Sequence, residues 1–317
     1  MAFEGADFVH RGKVRDSFGF GAHRALVVTD RVSAFDRALG LVPDKGAVLN
    51  QLAAWWFAQL DALDIAHHLV DVVHPNVALV RSVDVLPLEI IVRGYLTGST
   101  TTSAWHAYQH LDRKICGLEM PEGMVKNQRF DHPLLTPTTK EAHGDRPISQ
   151  QEILQQGWLD PYAAKSGKSA AALWEEISNT AFRMFEMGQR VAAERGLILV
   201  DTKYEMGVAE DGSLVVVDEV HTPDCSRFWL RDSYEARLEQ GQEPAALDKE
   251  FIRRQIVEAG FDVRSNADPS TYVTPQILAE ARDRYLDLFQ RMTGTVPDLQ
   301  PKQSVAEVLT DLRTKAL

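Results

Sequence analysis

The densest chemistry in the chain lies in two neighbouring segments, Val200-Asp201-Thr202-Lys203-Tyr204-Glu205-Met206-Gly207 and Val217-Asp218-Glu219-Val220-His221-Thr222-Pro223-Asp224. Alternate side chains of a strand face the same way, so Asp201, Lys203 and Glu205 share one face. Two acids and a lysine there are unfavourable for a core-forming strand unless that face lines a polar site. If Asp211-Gly212 forms a two-residue turn, the hairpin register sets Glu205 opposite Asp218. Opposed side chains lie ~4.5–5.5 Å apart at Cβ, and like charges there destabilise a sheet. A divalent cation between them, completed by phosphate oxygens, would remove that repulsion. The competing outcomes are an acid splayed to solvent, or a three-residue loop that moves the register by one.

Three further segments concentrate polar groups. Arg93 follows a buried apolar run, and Gly98-Ser99-Thr100-Thr101 reads as a helix start. Free N–H groups, hydroxyls and a guanidinium together make a phosphate site, unless Ser99 serves only as a cap. The glycine loop Gly12-Lys13-Val14-Arg15 sits between short strands and suits nucleotide phosphates; the bland alternative is a solvated basic hairpin. Thr29–Asp36, with Ser33, reads as a polar loop directly after a buried strand.

Other motifs fail. Ser166-Gly167-Lys168-Ser169 imitates the end of a P-loop, but Tyr162 occupies the required upstream glycine position. Gly19-Phe20-Gly21 lacks the third glycine of a dinucleotide fingerprint, because Arg24 stands there. His106 and His110 are four apart on a helix with no third ligand nearby.

The elements that must position these groups follow from periodicity. Strands are expected at Arg24–Thr29, Val77–Val83, Leu88–Arg93, 197–208 and 214–220. Leu49, Leu52, Trp56, Phe57, Leu60 and Leu63 mark one amphipathic helix, and a longer one spans 170–194, capped by Ser169 and ended by Gly196. Residues 112–150 look irregular, polar and proline-rich, as a segment that closes over substrates would. Helices at 231–240, 247–259 and 274–292 and a short terminal one complete the chain, giving an α+β protein.

The net charge of −11, from 34 basic and 45 acidic residues, excludes a broad basic surface for nucleic acid or anionic membrane. Two cysteines, no apolar stretch near the ~20 residues of a membrane span and an acidic N-terminus without a leader pattern point to a reducing, cytoplasmic setting. At roughly 150 residues per domain, 317 residues suggest two units. A monomer or small homo-oligomer is expected.

Six segments in order, GKVRDSF (12–18), TDRVSAFD (29–36), PLEIIVRGYLTGS (87–99), TPTTK (136–140), LVDTKYEMG (199–207) and VDEVHTPDCSRFW (217–229), resemble the SAICAR synthetase family of purine-biosynthesis ligases, in its longer yeast-type form. Met206 departs from the family's usual Phe, and Cys225 from its usual Ser or Gly. The resemblance implies an antiparallel-sheet N-terminal subdomain, kinase-like in its ATP-binding half (1–110), a central α+β subdomain (111–230) and a helical C-terminal region (231–317). It implies ATP-dependent joining of the imidazole carboxylate CAIR to L-aspartate with Mg²⁺, the carboxylate being activated by phosphorylation. It also implies roles. Gly12, Lys13, Val14, Arg15 and Glu205 would hold ATP, and Glu205 and Asp218 the metal. Ser33, Arg93, Ser99, Lys140 and Arg227 would bind substrate. Asp201, Lys203 and Asp36 would act beside the reacting groups, with Asp201 and Asp36 as candidates to take the amine proton.

Overall fold

A computed structural model describes residues 6–35, 37–141, 144–262, 265 and 267–316. Strands β1 (Val9–Arg11), β2 (Arg15–Phe20) and β3 (His23–Val28) lead to a hairpin, β4 (Arg31–Ala34) and β5 (Arg37–Leu41), and helix α1 (Lys45–Asp61). Strands β6 (Leu69–His74), β7 (Val77–Arg81), β8 (Asp84–Val85) and β9 (Leu88–Tyr95) follow, then α2 (Ala104–His110). Next come β10 (Lys114–Ile115), β11 (Leu118–Glu119), β12 (Arg129–Leu135) and β13 (Thr138–Thr139). Helices α3 (Gln150–Gln155), α4 (Asp160–Ser166) and α5 (Ala170–Glu194) precede β14 (Leu197–Val208), β15 (Leu214–Val217) and β16 (Ser226–Leu230). Helices α6 (Arg231–Glu239), α7 (Glu250–Glu258), α8 (Pro275–Thr293) and α9 (Val305–Ala316) end the described chain.

The architecture is α+β, with two main antiparallel sheets. The first has the order β1-β2-β3-β7-β6. The second is built around β14, which pairs with β9, β16, β15 and β8, while β12 and β13 extend it beyond β9. Strands β8 and β9, although N-terminal to residue 110, therefore belong to the sheet of the central segment. No helix among the described residues is long and apolar enough to cross a membrane.

Helix α5 covers the face of the second sheet opposite the acids. Its stripe, Leu173, Ile177, Ala181, Phe185, Gly188 and Ala192, is buried. Ser169 Oγ accepts the Ala172 N–H at 3.2 Å, and Gly196 follows the helix with φ 70°. Tyr204 and Met206 of β14 point into this core, so the Met206 exchange concerns packing. Gly188 is required by close approach: a Cβ there would lie 2.4 Å from His221 Cε1 and 2.7 Å from Leu199 Cδ2. His221 is fully buried, stacks edge-on against Trp56 at 4.6 Å, and shares a 2.6 Å hydrogen bond with the Tyr204 hydroxyl.

Several expected elements take another form. Segment 112–150 contains β12, whose pairing with β9 recruits it into the second sheet. The helix after Ser99 starts only at Ala104 and is capped by Ser103, whose Oγ accepts the His106 N–H. Arg31–Ala34, within the expected loop, is instead strand β4, which pairs with β5. Strand β15 stops at Val217, because Asp218 turns left-handed at φ 66°. Arg93 lies inside β9 rather than after it. Strand β16 has no clear alternation in sequence, and its pairing with β14 is what makes it extended. Gly167 ends α4 at φ 68°, which removes the P-loop resemblance. The His106 and His110 rings lie 4.7 Å apart, and among the described residues no group of three or more His, Cys, Asp or Glu is arranged to hold a metal.

Burial depresses the imidazoles of His68 and His221 to about 3, with His67 and Arg15 adding to the effect at His68. Both are neutral in the native state, whereas in the unfolded chain they titrate near ~6.5. Their contribution is therefore complete above pH 6.5 and is lost as pH falls toward 3, because only the unfolded chain takes up those protons. At about 1.4 kcal/mol per pH unit for each proton, the pair should cost roughly 3 kcal/mol between pH 6.5 and 5. Urea denaturation at the two pH values tests this, and a His221→Gln variant should show a visibly smaller drop. Equal drops in both proteins would contradict the assignment.

Candidate active site

The face of β14 carries charge along its length, and each charge meets a partner from a neighbouring element. Asp201 pairs in register with Arg93 on β9 and with Arg227 on β16. Its Oδ2 lies 2.5 Å from Arg227 Nη1 and 3.5 Å from Arg93 Nη1. Arg93 is anchored further by donating to Thr136 Oγ1 at 2.7 Å and to the Thr102 carbonyl at 2.9 Å. Lys203 Nζ lies 3.0 Å from Glu89 Oε1 and 2.9 Å from Glu205 Oε1. Lys140 Nζ reaches the other Glu205 oxygen at 2.5 Å.

The glycine loop joins β1 and β2. Gly12 donates its N–H to the Arg15 carbonyl at 2.7 Å, and a Cβ on Gly12 would lie 2.8 Å from that oxygen. The turn is therefore too tight to accept a side chain at Gly12. Arg15 crosses to Asp218 at 2.5 Å and to Glu219 at 2.6 Å. Gly12, Lys13, Val14 and Arg15 line a cavity of about 490 Å³ together with Leu26, Val80, Val85, Lys140, Glu205 and Asp218. That size suits a small organic ligand, and its apolar wall with charged end suits a base attached to phosphates.

Electrostatics sharpen the division of labour. Burial would raise the Glu205 carboxyl, but Lys203 and Lys140 outweigh it and hold it down at about 2. Asp218 moves the other way: burial raises it, Glu205 and Glu219 add to the rise, and Arg15 only partly opposes. Lys203 is held well above its ordinary range, because Glu205 and Glu89 overcome the burial that would lower it. At the far end burial lowers Arg93 despite Asp201, whereas Asp201 and Glu250 more than offset burial at Arg227 and raise it.

The hairpin register differs from the expected one. Strand β14 pairs Glu205 with Val217 and Val208 with Leu214. The loop is Glu210-Asp211-Gly212, three residues, closed by the Ala209 N–H donating to the Ser213 carbonyl at 3.0 Å. Asp211 Oδ1 accepts from both the N–H and the hydroxyl of Ser213, which favours this longer turn. Glu205 and Asp218 are thus not directly opposed, yet both line the same cavity. A divalent cation fits there in one respect. Burial and the neighbouring acids raise Asp218 even though Arg15 pairs with it, so further positive charge would be favourable there, and phosphate oxygens would have to supply the ligands that two carboxylates cannot.

A second cavity adjoins the Asp201 end. Arg93, Thr102, Asp201, Lys203, Arg227 and Lys249 line it, with Glu250 and Arg253 from α7. Ser99 meets the same α7 side chains in the neighbouring hollow, which Phe35 also borders. Ser33 lines neither cavity, and Asp36 lies outside the described residues. The glycine loop, Lys140, Glu205 and Asp218 line the first cavity and Arg93, Asp201, Lys203 and Arg227 the second, with the Lys203–Glu205 contact linking the two. Missed were Glu89, Lys249, Glu250 and Arg253. The charges crowded into the first turn of the expected helix at 247–259 were the available signal for three of them. Asp248 seats that turn, its carboxylate accepting the N–H groups of Phe228 and Glu250 at 2.8 and 2.7 Å.

Comparisons with known proteins agree with this geometry. The family described as SAICAR synthetase matches residues 8–268. A phosphoribosylaminoimidazole-succinocarboxamide synthase of Legionella pneumophila (strain Lens) is 43% identical over 285 residues, covering 90% of this chain and 87% of that protein. The chloroplastic enzyme of that name from Arabidopsis thaliana is 42% identical over 293 residues, 92% of this chain and 68% of the relative. Among solved structures, the SAICAR-synthase from Saccharomyces cerevisiae complexed with SAICAR superposes with a TM-score of 0.75 at 30% identity, covering 92% of this chain and 96% of that one.

The Arg93–Asp201–Arg227 arrangement makes a stability prediction. Asp201→Asn leaves two buried guanidinium groups facing each other and should cost about 3 kcal/mol in urea denaturation. Adding Arg227→Gln should cost less than the sum of the two single changes by at least ~1 kcal/mol. Strict additivity would show that the three groups do not act together.

Proposed function

The chain belongs to the SAICAR synthetase family, and from that premise we propose that it joins the carboxylate of CAIR to the amine of L-aspartate, converting ATP to ADP and phosphate. The observation that carries this reading is the charged face of β14. Glu205 stands at the nucleotide-sized cavity and Asp201 at the cavity of Arg93 and Arg227, with Lys203 between them. Four residues of strand span about 13 Å, enough to set a nucleotide and a second phosphorylated substrate end to end.

Chemistry follows from that order. Oxide is a poor leaving group, so the CAIR carboxylate must first accept the terminal phosphoryl group of ATP. The O–P bond to ADP breaks as the new carboxyl–phosphate bond forms. Lys203, fixed by Glu89 and Glu205, carries the positive charge at the meeting point of phosphoryl group and carboxylate. Lys13, Arg15 and Lys140 hold the nucleotide phosphates. Arg93, Ser99 and Arg227 hold the ribose phosphate, so that the imidazole carboxylate faces Lys203. The aspartate amine then attacks the activated carbonyl carbon, phosphate departs, and the nitrogen loses a proton, for which Asp201 and Asp36 are the candidate acceptors. Glu205 and Asp218 would hold Mg²⁺, which when bound neutralises charge on the phosphates during transfer. The functional division follows residues 1–110, 111–230 and 231–317, with β8 and β9 crossing from the first unit into the sheet of the second.

ADP release measured with ATP, Mg²⁺, CAIR and L-aspartate, each omitted in turn, tests the reaction. Full turnover should require all four, and equal ADP release without aspartate would remove the ligase reading in favour of a simple phosphotransferase. In the same assay Asp218→Asn should reduce turnover by at least ~100-fold. An unchanged rate and Mg²⁺ dependence in that variant would dismiss Asp218 from the metal site.

A further inference from the structure

Glu250 opens α7, and its carboxylate lies inside the cation cluster of the second cavity. Its Oε1 accepts the Ser99 hydroxyl at 2.8 Å. Its Oε2 accepts from Arg253 Nη1 at 2.9 Å and lies 3.7 Å from Arg227 Nη2. Ser99 and Arg227 are two of the groups that the proposed function assigns to the ribose phosphate. A carboxylate of the protein's own chain therefore already occupies donors that a substrate phosphate needs.

The match between cluster and carboxylate is incomplete. Arg227 Nε and Arg253 Nε are buried and find no acceptor in the protein. A carboxylate has two oxygens, whereas a phosphate monoester has three terminal ones and a second negative charge. The cluster is thus built for a larger, more highly charged anion than the one it holds. Burial would raise the Glu250 carboxyl, but Arg227 and Arg253 pull it down to about 2, so it stays ionised across the working range. An ionised Glu250 and a phosphate dianion cannot share the same donors without strong repulsion.

Resting on the phosphate-grip reading above, we propose that Glu250 is an internal placeholder for the substrate phosphate. It keeps Ser99, Arg227 and Arg253 gathered in the ligand-free cleft and is displaced when the phosphate binds. The device confers selectivity. A ligand bearing a phosphate dianion outcompetes one carboxylate for these donors, while a sugar or imidazole without phosphate cannot displace it.

Ribose 5-phosphate, with ribose as its phosphate-free control, is the probe in calorimetric titration of the full chain. Glu250→Gln should bind ribose 5-phosphate at least about 10-fold more tightly than the parent, because the competing charge is gone. Glu250→Asp, which retracts the carboxylate by one methylene, should fall between them. Weaker or unchanged binding in Glu250→Gln overturns the placeholder and would mark Glu250 as an ordinary ligand contact. Arg227→Gln separates the two levels of the argument. If it leaves ribose 5-phosphate affinity unchanged, the phosphate grip itself is misassigned. If it weakens binding while Glu250→Gln fails to tighten it, only the placeholder falls. A folding check uses the same proteins. In phosphate-free buffer Glu250→Gln should melt below the parent, and inorganic phosphate should raise its melting temperature more than the parent's. An equal rise in both counts against the proposal.

Discussion

Asp201 stands between two arginines on a strand that is hydrogen-bonded on both sides, and the cleft depends on that triplet. A charge at the centre of a sheet is tolerable only when the neighbouring strands return the opposite charge at the same level. Arg93 and Arg227 do so in register from β9 and β16. Once that alignment is set, Lys203 and Glu205 fall two and four residues along the same face, where Glu89 and Lys140 meet them. The Asp201–Glu205 face is thus assembled by strand register, while the glycine loop, Lys140 and Asp218 reach the first cavity from between strands.

The parts of the molecule distant in sequence are tied to this frame by buried polar contacts. Lys45 at the start of α1 is fully buried and reaches Asp224 at 2.8 Å, while Tyr285 of α8 donates to the same carboxylate at 3.1 Å. One acid beside the second cavity therefore joins the N-terminal helix, the site segment and the C-terminal helical region. Leu309 of α9 closes the core under Phe18, Phe20 and Val27 of the first sheet. The helical tail is in this sense part of the wall behind the cavity of the glycine loop, not an appendage.

Local chemistry made much of this legible. Helix α5, from its Ser169 cap to Gly196, and strand β14 followed from periodicity and caps alone, because apolar spacing and end signals agree there. The shared face of Asp201, Lys203 and Glu205 followed from strand alternation. What failed was decided by tertiary pairing. Strand β16 carries the sequence SRFWL with no clean alternation, and segment 112–150 is extended over β12 only because β9 offers it an edge. Ser99 resembled a cap, but Ser103 took that place and left Ser99 to meet Glu250. Lys249, just before α7, and Arg253 within it looked like an ordinary charged helix start, since nothing local reveals that Asp248 turns them toward β16. The single-residue error in the hairpin register had a similar origin, for Asp211 can support either a two- or a three-residue turn.

That hairpin loop bears on how the gene can change. Surface turns ordinarily accept insertions and deletions at little cost. The turn at 210–212 lies at the end of β14 away from Asp201, and its side chains touch neither cavity. Yet its length determines which residue of the return strand stands beside Glu205. Re-forming it as a two-residue turn at Asp211-Gly212 would shift the return strand by one residue, send Val215 and Val217 to the opposite face and bring Asp218 directly against Glu205. A stretch that looks free to drift is thereby held to one turn geometry by a cleft it never touches.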